Sequence, residues 1–225
     1  YWGTSVPLSF LIMAVVSYGV STELDAINSI LMSVGESPVN TLTVQSPEVV
    51  IAQSTLRQVC REVLQEGWKF NTEYEYPIEI DNNKNVVVPN NVLQIDLNHF
   101  KHSGHHDVVR KSDNGIYKLY DLIDHTFEFD DAGEDVYCDI IWMIDFEDIP
   151  QVFKSYITVR ATRMASNRMV NNGQAAELIA QDESLARALA TEYDCKQGDY
   201  NIFQDSRYRH NPSTVYRPYQ VLQRR

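Results

Sequence analysis

The chain of 225 residues has few cysteines, a deficit of basic charge and no long apolar run. Its three cysteines, Cys60, Cys138 and Cys195, are odd in number and widely spaced. No CxxC pair occurs, so neither a zinc site nor a disulfide framework is indicated, and reduced, mostly buried thiols are expected, in keeping with a cytosol. Nineteen Lys and Arg stand against 31 Asp and Glu, for a net charge of -12. That balance disfavours a body that wraps nucleic acid, because phosphate binding needs clustered cations. An acidic surface suits plain solubility, and it equally suits a passage along which DNA moves without sticking. The stretch from Val6 to Val20 is mostly apolar, but it is shorter than the ~20 residues of a membrane span. It also lacks the positive leader region and cleavage site of a signal peptide. No G-x-S-x-G, HExxH, phosphate-binding glycine loop or Cys/His catalytic signature is present, so an enzyme finds little support.

What remains is an ordinary folding composition, 44% hydrophobic and 22% charged, in a chain long enough for one large domain or two small ones. Leu24 to Leu42 predicts an amphipathic helix with Ile27, Ile30, Leu31 and Val34 on one face. Thr22 and Asp25 have the spacing of a capping box. Gly35 stands where a left-handed residue ends a helix, and Pro38 stops it from resuming. Ser46 and Pro47 open a second helix whose stripe is Val49, Ala52, Leu56, Val59, Cys60 and Val63, closed by Gly67. The corner Gly67-Trp68-Lys69-Phe70-Asn71 follows, and Trp68 is expected to fold back as a core anchor. Pro150 opens a third helix, carrying Phe153, Ile157, Ala161, Met164 and Ala165 on one face and ended by Gly173. A fourth, from about residue 174 to 195, is expected to bury Ala175, Leu178, Leu185, Ala186, Leu189 and Tyr193.

Between residues 74 and 149 the pattern changes to strands. Asp113-Asn114-Gly115 predicts a hairpin turn between Val108–Arg110 and Ile116–Tyr120. Tyr137 to Ile144 reads as a largely buried strand, and Val86-Val87-Val88-Pro89 as a short apolar run. The expected class is α+β: a helical bundle with an inserted small antiparallel β-domain and an extended C-terminal arm. The expected division is an N-terminal extension or arm at 1–20, a bundle from 21–73 and 150–200, a β-rich insertion at 74–149, and a basic arm at 201–225.

Four groups of residues invite a chemical reading. His99, His102, His105 and His106 fall in eight positions with Asp107 behind them, and imidazoles with a carboxylate can ligate zinc. Gly104 implies a loop, however, and a solvated loop tip is the preferred reading, with no metal expected. Asp130, Asp131, Glu134 and Asp135 offer calcium-type oxygens without the alternating pattern of an EF-hand, so a hydrated turn is expected. Arg168 and Asp182 each fall within the apolar face of their helix. Either they pair, in one chain or across a subunit boundary, or both snorkel outward from helix edges. The end of the chain holds Arg207, Tyr208, Arg209, Tyr216, Arg217, Tyr219, Arg224 and Arg225 with no acidic residue from 207 onward. Tyr and Arg dominate interface hot spots. A docking arm, an unordered terminus and direct DNA contact are the three readings of it.

The helix–Gly35–Pro38 segment and the GW-aromatic-Asn corner resemble the tail tubular protein A family, the head-to-tail adaptors of T7-like short-tailed bacteriophages. So do Ala161-Thr162-Arg163 with Arg168, and Ala186-Arg187-Ala188-Leu189 followed by Glu192-Tyr193 and Gly198-Asp199-Tyr200-Asn201. The recognisable segments lie in residues 23–71 and 140–201. Gly35, Pro38, Trp68, Arg163, Arg168 and Tyr193 carry the family pattern. The resemblance begins after Met13, which makes Met13 an alternative start. It implies a structural virion protein without catalytic residues or cofactors. It also implies a ring of about twelve copies between portal and tail nozzle, near the tail fibres, through which double-stranded DNA passes. Assembly would take place in the host cytoplasm, with no membrane insertion. Two rivals stand beside it: a metal-dependent hydrolase built on the His99–His106 cluster, and a protein-binding module unrelated to virions.

Overall fold

A computed structural model of the chain describes residues 21–43, 46–98, 106–129, 135–169 and 173–198. Helix α1 (Glu23–Ser33) begins as the sequence requires: the Thr22 hydroxyl accepts from the Asp25 amide, and the Asp25 carboxylate accepts from the Thr22 amide at 2.9 Å. Those bonds hold the Asp25 carboxyl below its ordinary range. The helix ends in a Schellman motif, the amides of Glu36 and Gly35 donating to the carbonyls of Leu31 and Met32, with Gly35 at φ +85°. Past Pro38, the Asn28 side chain holds both the amide and the carbonyl of Val39, tying the turn back to α1.

Helix α2 (Pro47–Gln65) is capped by Ser46 and buries the whole stripe from Val49 to Val63. At ~1.5 Å per residue it is about 28 Å long. Helix α3 (Gln151–Met169) is central and touches each of the other helices, while α4 (Gly173–Gly198) packs on α3. Gly173 therefore opens α4 instead of closing α3. One hydrophobic cluster joins all four helices, with Phe153, Tyr156, Ile157, Ala161, Ala165 and Ala190 fully buried.

The expected inner face of α4 requires correction. Leu178, Leu185 and Leu189 are exposed by 65%, 61% and 50%, whereas Ala190 is buried and Ala186 and Tyr193 half-buried. The reason is size: alanines on α4 meet Ala161 and Ala165 of α3 in the same cluster, and small side chains let two helices approach closely. The leucines lie on a different arc of the helix. The side chain of Ala175 lies outside the described residues.

The β-rich insertion is antiparallel. β1 (Thr72–Glu79), β5 (Asp135–Trp142) and β2 (Val92–Leu97) form a three-stranded sheet in that order, with β5 in the centre. β3 (Val108–Asp113) and β4 (Ile116–Asp121) form the expected hairpin about Asn114 and Gly115, both at positive φ. Val136, Cys138 and Ile140 alternate inward along β5 onto a second cluster with Val86, Val108, Leu119 and Phe129. The run Val86–Val88 makes isolated bridges only. Burial raises the Cys60 thiol to about 11 and the Cys138 thiol to about 12, so both are inert, while Cys195 is exposed.

Candidate functional site

The corner after α2 is built from the sequence motif outward. Gly67 sits at φ +75°, and a β-carbon there would stand 2.8 Å from Cδ1 of Ile141. With the chain turned at that point, Trp68 drops into the bundle: its indole donates to the Val63 carbonyl at 2.7 Å, and its ring lies 4.8 Å from that of Phe153. Asn71 is almost fully buried and satisfied on both sides of its amide. Its Oδ1 accepts from the Trp68 amide, and its Nδ2 donates to the carbonyls of Leu64 and Trp142. Trp68 is thus an anchor, and Asn71 is the joint between bundle and sheet. An open cleft of about 580 Å³ beside the joint is lined by Phe70, Glu73, Tyr76, Trp142, Asp145 and Asp148 among others. These are aromatic faces and carboxylates, without an adjacent nucleophile and base.

A lattice of charges ties α2, α3 and α4 together. At its centre the hydroxyl of buried Tyr156 accepts from both Arg160 and Arg187 at 3.1 Å. Arg160 reaches on to Glu62 at 3.0 Å, and Arg187 to Glu66 at 2.8 Å. Arg163 of the family pattern forks onto Glu183 of α4, and that bond is the main reason its pKa lies above the usual value. At the other end of α3, Arg168 is exposed and donates to Thr55 and Gln58 of α2 at 2.8 and 2.9 Å. Asp182 is exposed on α4. No ion pair joins Arg168 to Asp182 within the described residues, because Arg168 turns toward α2 and its neighbour Arg163 takes the α4 carboxylate. Tyr193 stacks edge-on to Phe153 at 6.1 Å. The sequence reading missed Tyr156, although its place between Phe153 and Ile157 on the buried face, where a phenol must find a partner, was the available signal.

Of the histidine cluster, only His106 lies among the described residues. It is not solvated: its side chain is 7% exposed and its Nδ1 meets Oδ2 of Asp121, which is 1% exposed. The ring packs on Phe129. Burial alone would raise the Asp121 carboxyl, but bonds from His106 and from the amides of Ile123, Asp107 and Asp124 outweigh it, and the pKa is lowered. His106, Asp121 and Asp124 bring ligand atoms within 4.8 Å of one another. Asp121 is already engaged by His106 and the Ile123 amide, so the arrangement is that of a buried hydrogen-bonded pair. His99, His102 and His105, the acidic residues Asp130, Asp131 and Glu134, and the arm from Arg207 to Arg225 lie outside the described residues. Among the described residues no helix is long and apolar enough to cross a membrane.

The polar groups so far placed are joints between elements: an α+β body whose charged and aromatic side chains hold helices to one another and to a sheet. Residues 24–200 match the family described as Tail tubular protein (Tube). The chain belongs to the tail tubular protein family, and so has a structural role in the bacteriophage tail. It is also similar to the Tail tubular protein A of Klebsiella phage KP34, with 31% identity over 131 residues, 57% of this chain. That alignment spans 63% of the relative's length.

Proposed function

We propose that this protein is the head-to-tail adaptor of a short-tailed phage. Copies stand side by side in a ring of about twelve between the portal and the tail nozzle. The ring continues the channel through which double-stranded DNA leaves the head, and its rim lies near the tail fibres. The observation that carries this reading is the family match over residues 24–200. Two sequence features support it. The net charge of -12 suits a channel wall that does not hold DNA. The basic, tyrosine-rich stretch of Arg207, Tyr208, Arg209, Tyr216, Arg217, Tyr219, Arg224 and Arg225 suits an arm that docks on the portal. Arg168 and Asp182, both exposed, lie at the subunit boundary in this reading. The role is mechanical and needs no cofactor.

The test is co-sedimentation with the cognate portal ring, comparing the full chain with one ending at Asp205. Saturable binding in ring stoichiometry, lost on truncation, is the expected result. Binding that survives truncation removes the arm from the account, and no binding by either chain to an intact portal removes the adaptor.

A further inference from the structure

The leucines that the bundle leaves outside share one face of α4. Leu178, Leu185 and Leu189 are each at least half exposed, and with Asp182 they fall at i, i+4, i+7 and i+11, one stripe of a helix. On α2 the outward residues Val50, Ser54, Arg57 and Arg61 repeat that spacing, with Val50 52% exposed and Ile51 beside it. We propose that these two stripes are the two halves of one interface: the outer face of α4 in one copy packs on the outer face of α2 in the next. The partner's identity as a second copy rests on the ring reading above, while the surfaces follow from charge and geometry.

The charges are complementary. The α4 face carries exposed Asp182 and, past Leu189, Glu192 paired with Lys196 at 2.6 Å. The α2 face carries Arg57, whose side chain is 61% exposed with Glu23 at 3.5 Å, and Arg61, which donates to the Arg57 carbonyl. Arg168 stands at its edge, held there by Thr55 and Gln58. Arginine stems and Val50 offer the apolar cover that the leucines need, while the guanidinium groups remain at the rim. The levels agree as well. Arg160 of α3 reaches back to Glu62, and Arg168 to Thr55, so α2 and α3 are antiparallel. Arg163 meets Glu183, and Phe153 meets Tyr193, so α3 and α4 are antiparallel too. Hence α2 and α4 run the same way, in register at the Glu66–Arg187 bond. Five residues back from that bond on each helix stand Arg61 and Asp182. A neighbour displaced sideways thus sets Asp182 opposite Arg61. Because the two faces differ, the contact is head-to-tail and a joined pair keeps one of each free, which is how rings close.

The test uses the full chain with Cys195→Ser, so that no exposed native thiol remains among the described residues, and adds Leu178→Cys and Ser54→Cys. Both sites are exposed, so the fold is spared, and a short bis-maleimide reads proximity. The double variant, assembled on the cognate portal ring or by concentration, is expected to yield a covalent ladder. A mixture of the two single variants is expected to stop at dimers. Asp182→Arg is expected to weaken assembly at least tenfold, and Arg61→Asp added to it to restore most of the loss. Portal binding by the parent chain is scored separately. Rings on the portal without the cross-link overturn this interface and leave the adaptor standing. A ladder without portal binding keeps the interface and removes the adaptor. A parent that neither self-associates nor binds the portal overturns both.

Discussion

In the helical part of the molecule the polar side chains reach across long stretches of sequence. Asn71 bonds the carbonyl of Trp142, 71 residues on, and Arg187 bonds Glu66, 121 residues away. In and around the β3–β4 hairpin the reach is short. Lys118 pairs with Asp113 five residues back, and His106 with Asp121 across 15. A bundle held by distant partners forms or fails as one unit, whereas a hairpin held by its own neighbours can open without the rest. The comparison assigns the two regions different duties. The bundle with the β1–β5–β2 sheet is the rigid frame, and the β3–β4 hairpin is a locally closed attachment.

Phe153 offers the strongest way to break the frame. It is fully buried, with ring centroids of Trp68, Phe70 and Tyr193 at 4.8, 4.6 and 6.1 Å. Phe153→Ala removes the ring around which the corner and two helices meet, and is expected to cost about 4 kcal/mol. In urea, probes in α2 and in β5 should lose stability together. An α2 transition that shifts while β5 stays fixed would separate the two regions thermodynamically and contradict a single frame.

A smaller effect comes from two glycines in similar conformations. Gly35 and Gly67 both have positive φ, but only Gly67 faces a neighbour, Cδ1 of Ile141 at 2.8 Å from an added β-carbon. Gly35→Ala is expected to cost about 1 kcal/mol from the backbone alone. Gly67→Ala should cost about 1–3 kcal/mol more, from the same strain plus overpacking at the joint between bundle and sheet. Ile141→Val in the Gly67→Ala background should recover part of that difference, measured by the denaturation midpoint. Equal costs at the two glycines would mean that the corner yields more easily than its geometry implies.

Much of the frame was legible in the sequence, because local chemistry and tertiary need agreed there. The Thr22–Asp25 box, the Gly35 stop, the α2 stripe and the Trp68 anchor all take the places their residue types require. The α4 face was not legible. Periodicity reports which residues share an arc, and α4 has two usable arcs, one of alanines and one of leucines. Hydrophobicity favours the leucines, and close approach to Ala161 and Ala165 selected the alanines. Strand β1 was hidden for another reason: Thr72–Glu79 shows no clean alternation, and Glu75 at φ +55° breaks its register with β5. The His106–Asp121 pair was invisible because hairpin register, with Val108 opposite Asp121, brings the two side chains together.

That pair gives the smallest and most local prediction. The Asp121 carboxyl titrates below its ordinary value of 3.8 in the folded hairpin, so the opened hairpin binds the proton more readily. Its contribution is therefore complete above pH 3.8 and is lost as the pH falls through that value toward the lowered one. Asp25 shares the sign at the start of α1, which makes α2 the proper comparator. Amide protection factors, corrected for intrinsic exchange, should fall for Val108–Asp121 as the pH is lowered from 5 toward 3. Those of buried α2 should change little. Asp121→Asn should lower hairpin protection at pH 5 and flatten its dependence on pH. If α2 instead loses protection in step with the hairpin, the hairpin is no local attachment, and the two regions share one stability after all.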